Sequence, residues 1–220
     1  MRKKNNLEAR LEGCSDILTF ADMSDRNMKR AAEKKEYLDF LKIFGNCNPV
    51  CLEIGCGKGK FVCEKAAANP DINFIAIEKI SNVLIAATER ARSENLKNIH
   101  FINCAAEVLQ KYIPDGKIAR IYLNFSNPLP KEGYKKQRLT HPKFLGVYRK
   151  LLIDGGEVVQ KTDDRPFFEF SKESYKLAGY TITDLREDLA ADPVEGDIET
   201  EHEAKFKAEG KKIYYIAAKA

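Results

Sequence analysis

Between residues 49 and 124, short apolar runs alternate with longer stretches of helical period. The run 50–54 is apolar except for Glu53 and ends in a glycine cluster, which predicts a buried strand followed by a tight turn. The same reading predicts a helix at about 59–68, a strand at 73–78, a helix at 81–95, a strand at 99–103, a helix at 105–112 and a strand at 118–124. After a loop with two prolines come a helix at 142–152, a strand at 156–162, a helix at 165–178, a strand at 180–186, an acidic loop at 190–204 and a last strand at 212–218. Parallel neighbours need crossover helices, so this alternation implies an α/β, doubly wound, mostly parallel sheet. No helical period separates the last two strands, so the seventh strand is expected to return antiparallel. Residues 1–48 are polar, with their apolar anchor at 37–41; they read as an N-terminal helical extension with one helix near 28–43, leaving 49–220 as the main domain.

At 220 residues, 44% hydrophobic and 32% charged, the chain has enough apolar content for a substantial core, which excludes disorder and low complexity. No run of about eighteen apolar residues occurs and no apolar segment follows the basic start, so a cytoplasmic protein with no membrane partner is expected. Six cysteines, at 14, 47, 51, 56, 63 and 104, show no Cys-x-x-Cys pair and read as reduced thiols rather than as a metal site. The net charge of +4 names no partner, but its distribution is uneven. Residues 131–150 hold seven cations against one acid, and residues 181–203 hold nine acids against one arginine, which suggests a polyanion-facing side.

In sheets of this kind the ligand lies beyond the carboxyl ends of the strands. The first such end reads Glu53-Ile54-Gly55-Cys56-Gly57-Lys58-Gly59. It lacks the spacing of a phosphate loop, and the third glycine of a dinucleotide fingerprint falls on Lys60. The Glu53 carboxylate would repel a pyrophosphate and would suit a cation. Glu78, twenty-five residues on, ends the next strand where a carboxylate can accept the two hydroxyls of a ribose. A ribose and a cation without phosphate together describe S-adenosyl-L-methionine; the competing reading is two solvated strand-end acids. After the fourth strand, Asn127-Pro128-Leu129-Pro130 is a proline-stiffened loop that can project the Asn127 amide in a fixed direction. Behind it, Lys131, Lys135, Lys136 and Arg138, with Tyr134 among them, form a candidate phosphate clamp.

These residues resemble the bacterial tRNA (guanine-N7-)-methyltransferases, from about residue 51 to the end. The resemblance rests on Glu-Ile-Gly-x-Gly-Lys-Gly at 53–59, Tyr-Leu-Asn-Phe-Ser at 122–126, Arg-Leu-Thr at 138–140, Lys-Thr-Asp at 161–163 and Asp-Ile-x-Thr-Glu at 197–201. It implies a Rossmann-like class I methyltransferase sheet and direct methyl transfer from S-adenosyl-L-methionine to N7 of the variable-loop guanosine, position 46 of tRNA. It further implies cofactor contacts at Glu53, Gly55, Gly57, Gly59, Glu78, Ala105 and Asn127, with Asn127 and Asp163 as catalytic residues. The substrate residues it implies are Lys131, Lys135, Lys136, Arg138, Asp163, Thr200, Glu201, His202 and Glu203. Family acids are replaced by Ala105 and Asn127, the loop tryptophan by Leu129, an arginine by Gln137 and a tyrosine by His202. Those departures leave two rivals: a tRNA-binding relative with weakened catalysis, and an amino-methyltransferase, which the Asn-Pro-x-Pro loop brings to mind. His100 and His141 read as structural, and the sequence leaves monomer and homodimer equally open.

Overall fold

The computed structural model describes residues 4–220, and its internal contacts divide the chain into two compact units that meet at Pro114 and Asp115. The first unit contains, in order, α1 (Leu7–Glu12), β1 (Leu18–Phe20), α2 (Met28–Glu33), α3 (Phe40–Phe44), β2 (Val50–Ile54), α4 (Lys60–Ala68), β3 (Asn73–Ile77), α5 (Ser81–Ser93), β4 (Ile99–Asn103) and α6 (Leu109–Tyr112). Its strands are parallel, with β4 between β1 and β3, and β3 paired to β2. β2, β3 and β4 are buried at every residue, as parallel strands covered on both faces must be. Leu52, Ile75 and Phe101 are fully enclosed at their centre.

The N-terminal segment departs from the expected single helix at 28–43. The chain breaks at 34–39, where the Glu36 and Leu38 amides donate to the carbonyls of Lys111 and Tyr112. Asp39 then caps α3 by accepting from the Lys42 amide. The run 37–41 is not the anchor either: Tyr37 and Leu41 are exposed, while Leu7, Leu11, Cys14 and Leu18 are buried. β1, absent from the sequence reading, pairs Leu18 with Phe101 and Phe20 with Asn103 along the β4 edge. Thr19 Oγ1 lies 2.9 Å from His100 Nε2 across that pairing, and burial lowers the His100 pKa to about 4, so this histidine is a neutral structural group.

The second unit contains β5 (Ile118–Asn124), α7 (Pro142–Leu151), β6 (Leu152–Thr162), α8 (Arg165–Leu177), β7 (Thr181–Arg186), α9 (Glu201–Ala208) and β8 (Tyr214–Lys219). β5 runs parallel to β6, and β8 lies antiparallel between β6 and β7, so the final strand returns as expected. Phe144, Tyr148, Phe167, Phe168 and Tyr175 from α7 and α8 fill the core. His141 opens α7 by accepting from the Lys143 amide, with Pro142 at the first helical position, where its missing N–H is no loss. α9 was expected to be loop. It starts with a capping box in which Thr200 Oγ1 accepts from the Glu203 amide. Among the described residues no helix is long and apolar enough to cross a membrane, and no cluster of His, Cys, Asp or Glu could hold a metal ion.

Candidate functional site

In the first unit the chain turns sharply after β2. The Gly55 and Cys56 amides both donate to the Ile77 carbonyl, at 2.8 and 3.0 Å, which ties the glycine loop to the end of β3. Gly55 and Gly57 hold left-handed φ values of +84° and +58°, and a methyl group added to either would meet nothing within 4 Å. The space beside these two glycines is open to a ligand. Gly59 differs: at φ +81° a methyl group there would stand 2.6 Å from Ala87 Cβ and 2.9 Å from Ala87 Cα, so this glycine permits α4 to start against α5.

Glu53 is only 3% exposed, which rejects the solvated reading for this acid. Glu78 is half-buried, and its Oε1 accepts from the Ile80 amide at 2.9 Å. Asn103, at the end of β4, donates to the Glu78 carbonyl at 2.7 Å and accepts from the Ser81 hydroxyl at 3.0 Å, bracing the backbone that carries Glu78. Burial, and then the charges of Glu53 and Glu78, push the Cys56 thiol well above its usual range. Because Ile54 pairs with Ile77, Glu53 and Glu78 stand at neighbouring strand ends beside the glycine loop, a placement that suits a cationic ligand. Ala105 is buried and brings a methyl group to the strand end, with no acceptor in its side chain. A cofactor with a positive centre and a ribose fits these residues: open space at two glycines, a buried acid in β2 and a carboxylate just past the end of β3.

In the second unit, Phe125 leaves β5 at φ +50° with its amide donating to the Lys161 carbonyl at 2.9 Å, and Leu129 stands at φ +46°. Two left-handed non-glycine residues in one loop mark backbone held by its surroundings, the kind of strain found at functional sites. Asn127 Oδ1 accepts from the Leu129 amide at 3.1 Å, so the amide is fixed in direction, as the prolines suggested. Ser126 Oγ beside it is shielded from solvent with no hydrogen-bond partner among the described residues.

The basic run behind this loop divides. Lys131, Lys136 and Tyr134 are exposed, whereas Lys135 is paired with Glu132 at 2.5 Å. Arg138 does not project as a clamp: it is buried, donates to the Leu129 carbonyl at 3.1 and 3.3 Å, and lies 4.4 Å over the Phe170 ring. Nearby, the Thr140 hydroxyl shares a hydrogen bond with Ser171 Oγ, which also accepts from Gln160. The Arg-Leu-Thr signature therefore fastens the loop to α8, whose Ser171 is held in turn by Gln160 of β6.

The third cluster centres on Lys161, which is 1% exposed and which the sequence offered only as part of the Lys-Thr-Asp motif, without a role. Its ammonium donates to Asp197 Oδ2, to the Ile198 carbonyl at 2.9 Å and to Glu203 Oε2 at 2.9 Å. Of the motif 200–203, Thr200 and Glu203 are buried in the capping box, while Glu201 and His202 are exposed. The His202 ring stacks on Phe125 at 5.8 Å, and Phe206 lies 5.7 Å from Phe125. Burial pushes the Glu203 carboxyl up, but Lys161 and Lys207 outweigh it and hold it below its ordinary range. Glu203 thus spends its charge on two lysines, and Asp163 faces Lys211 at 3.5 Å. Phe125 and Ser126 stood in the 122–126 signature without a role, and Phe206 and Asn103 escaped the sequence reading; a polar residue at a strand end was the only signal available for Asn103.

A family described as putative methyltransferase matches residues 47–216. A tRNA (guanine-N(7)-)-methyltransferase of Geobacillus sp. (strain WCH70) is 44% identical over 178 residues, 81% of this chain and 81% of that protein. One of Listeria monocytogenes serotype 4b (strain F2365), under the same name, is also 44% identical, over 81% of this chain and 83% of its own length. Among solved structures, the 16S rRNA methyltransferase KamB superposes with a TM-score of 0.62 at 14% identity, covering 91% of this chain and 94% of that one. A SAM-dependent methyltransferase from Aquifex aeolicus gives 0.54 at 14% identity, over 81% of this chain and 86% of that one; these two likenesses speak to the fold.

Proposed function

The chain belongs to the tRNA (guanine-N7-)-methyltransferase family, and on that premise we propose how its residues methylate N7 of the variable-loop guanosine, position 46 of tRNA. It is an S-adenosyl-L-methionine-dependent methyltransferase. The observation that carries our assignment of the cofactor is the glycine loop, open at Gly55 and Gly57, with Glu53 and Glu78 at the paired ends of β2 and β3 beside it.

Glu53 would hold the positive end of S-adenosyl-L-methionine and Glu78 its ribose hydroxyls, with Gly55, Gly57 and Gly59 shaping the cradle and Ala105 closing the adenine end. When bound, this cofactor supplies an electrophilic sulfonium methyl group. Guanine N7 carries a free lone pair at neutral pH, so no residue needs to act as a general base. The protein's contribution is alignment, which in well-oriented systems lowers a barrier by about 7 kcal/mol or more. Asn127 lies in a pinned loop and has one amide oxygen bonded to Leu129, which leaves the NH2 and a second lone pair for further hydrogen bonds. A neutral amide makes hydrogen bonds of roughly half the strength of those to a carboxylate. Asp163, Thr200, Glu201, His202 and Glu203 would border the base. Lys131 and Lys136 would take phosphates, Lys135 would share its charge with Glu132, and Arg138 would serve by holding the Asn127 loop in shape. We assign residues 1–48 to an N-terminal extension and 49–220 to the methyltransferase domain, working in the cytoplasm with tRNA as partner.

The deciding experiment incubates the protein with unmodified tRNA and methyl-labelled cofactor, then cleaves the RNA chemically at N7-methylguanosine. A single cleavage in the variable loop is expected. Labelled RNA that resists cleavage would indicate amine methylation, and RNA binding without cofactor affinity would indicate a catalytically silent relative; either result overturns the assignment.

A further inference from the structure

We infer that Lys161 is a positioning residue that sets the register of both candidate substrate-binding segments, an inference that rests on the assignment above. One residue at the carboxyl end of β6 makes two kinds of attachment. Its backbone carbonyl accepts from the Phe125 amide at 2.9 Å, which fixes the point where the Asn127 loop departs from β5. Its buried ammonium reaches Asp197, the Ile198 carbonyl and Glu203, three points along the segment that bears Thr200 to Glu203. An ammonium with three donors can be satisfied by those three acceptors.

The consequence extends outward from the buried centre. Glu203 belongs to the capping box that starts α9, and the first turn of α9 presents His202 to the Phe125 ring. Phe125 is attached to the Lys161 backbone and His202 to its side chain through Glu203, so the two rings that stack on each other are located from one residue. Removing the ammonium would leave the Asn127 loop in place, since that hydrogen bond uses the main chain, and would release the 197–203 segment. Lys161 touches neither reacting atom; it acts through Glu203 and Asp197.

A strand-buried lysine paired with two acids could equally serve folding alone, and the variants are chosen to separate the two roles. Lys161→Met leaves Asp197 without its ammonium, while Glu203 keeps Lys207 at 2.8 Å. Lys161→Met with Asp197→Asn removes that uncompensated charge and should return the melting temperature most of the way to wild type. In this double variant we expect kcat/KM for tRNA to stay at least tenfold down, mostly through KM. Amide hydrogen exchange at 200–204 should be at least tenfold faster, and the S-adenosyl-L-methionine dissociation constant should stay within about twofold. Recovery of kcat/KM together with stability would overturn the inference, as would unchanged exchange at 200–204 or an equal loss of cofactor affinity. Wild-type protein that fails to methylate tRNA at N7 would overturn the functional assignment instead, a result visible before any variant is made.

Discussion

Gly57 and Gly59 share a left-handed backbone yet should fail in different ways when each gains one methyl group. An L-residue in that region costs roughly 1–2 kcal/mol, offset in part by the reduced freedom of the unfolded chain. For Gly57→Ala that is the whole stability cost, because nothing lies within 4 Å of the added carbon. Gly59→Ala pays it and in addition drives a carbon to 2.6 Å from Ala87 Cβ and 2.9 Å from Ala87 Cα, so α4 and α5 must separate. Overpacking of this kind adds about 1–3 kcal/mol. At roughly 2–4 °C per kcal/mol for a chain of this size, Gly57→Ala should lower the melting temperature by about 3 °C and Gly59→Ala by on the order of 10 °C. Cofactor binding should rank the other way. The methyl group at 57 enters the space assigned to the cofactor and should raise the dissociation constant at least tenfold, about 1.4 kcal/mol, while Gly59→Ala, measured well below its melting temperature, should bind within a few-fold of wild type. Thermal unfolding with calorimetric titration of S-adenosyl-L-methionine reads both quantities. Wild-type affinity in Gly57→Ala would refute the assignment of the loop, and an unchanged melting temperature in Gly59→Ala would refute the packing argument.

Three further outcomes are expected. Lys131→Ala with Lys136→Ala should flatten the salt dependence of tRNA binding by somewhat less than one unit of slope per lost phosphate contact, whereas Arg138→Ala should lower stability and leave the slope alone; equal slopes in wild type and the double variant would exclude the clamp. His100 is held at about 4 in the fold against 6.5 unfolded, so its contribution is complete above pH 6.5 and is lost as the pH falls from 6.5 toward 4, about 2 kcal/mol by pH 5. Denaturant titrations of His100→Phe between pH 7 and pH 5 should show that much less decline than wild type, and parallel curves would contradict the burial argument. Asn127→Asp keeps the oxygen that accepts from the Leu129 amide and adds a charge, so methylation should be unchanged or up to about tenfold faster; a large drop in rate would show that the amide NH2 is required.

Strands β2, β3 and β4 were legible because parallel strands buried on both faces are written as short, mostly apolar runs, β5 because its Ile121-Tyr122-Leu123 stretch is apolar and buried, and the glycine loop because only glycines suit the turn and the open space beside it. β1 was not: three residues, Leu-Thr-Phe, have no readable period, and their pairing is decided by the free edge of β4. α9 was hidden for a different reason. Thr200-x-x-Glu203 is a capping box by its spacing, but Glu201-His202-Glu203-Ala204-Lys205-Phe206-Lys207 carries no apolar stripe, so the helix depends on the tertiary contacts of Lys161 and Phe206 rather than on local pattern. Arg138 shows the limit of reading a charge run, since depth is invisible in a sequence and the fourth cation of the run lies inside the fold.

The separation of basic and acidic segments also changes meaning once the partners are known. The acids of 181–203 suggested one side of an electrostatic field, yet most of their charge is consumed at short range. Arg186 takes Asp184 and Asp192, Lys161 takes Asp197 and Glu203, and Lys207 takes Glu199 and shares Glu203. Pairs at hydrogen-bonding distance act as local ties, and at physiological ionic strength the field left over fades within about 8 Å. Lys131 and Lys136 are exposed, with no such pair among the described residues, and can face a polyanion. On the proposed function, attraction of tRNA falls to these exposed cations rather than to a dipole between segments, and the acids serve instead to build the segment proposed to border the base.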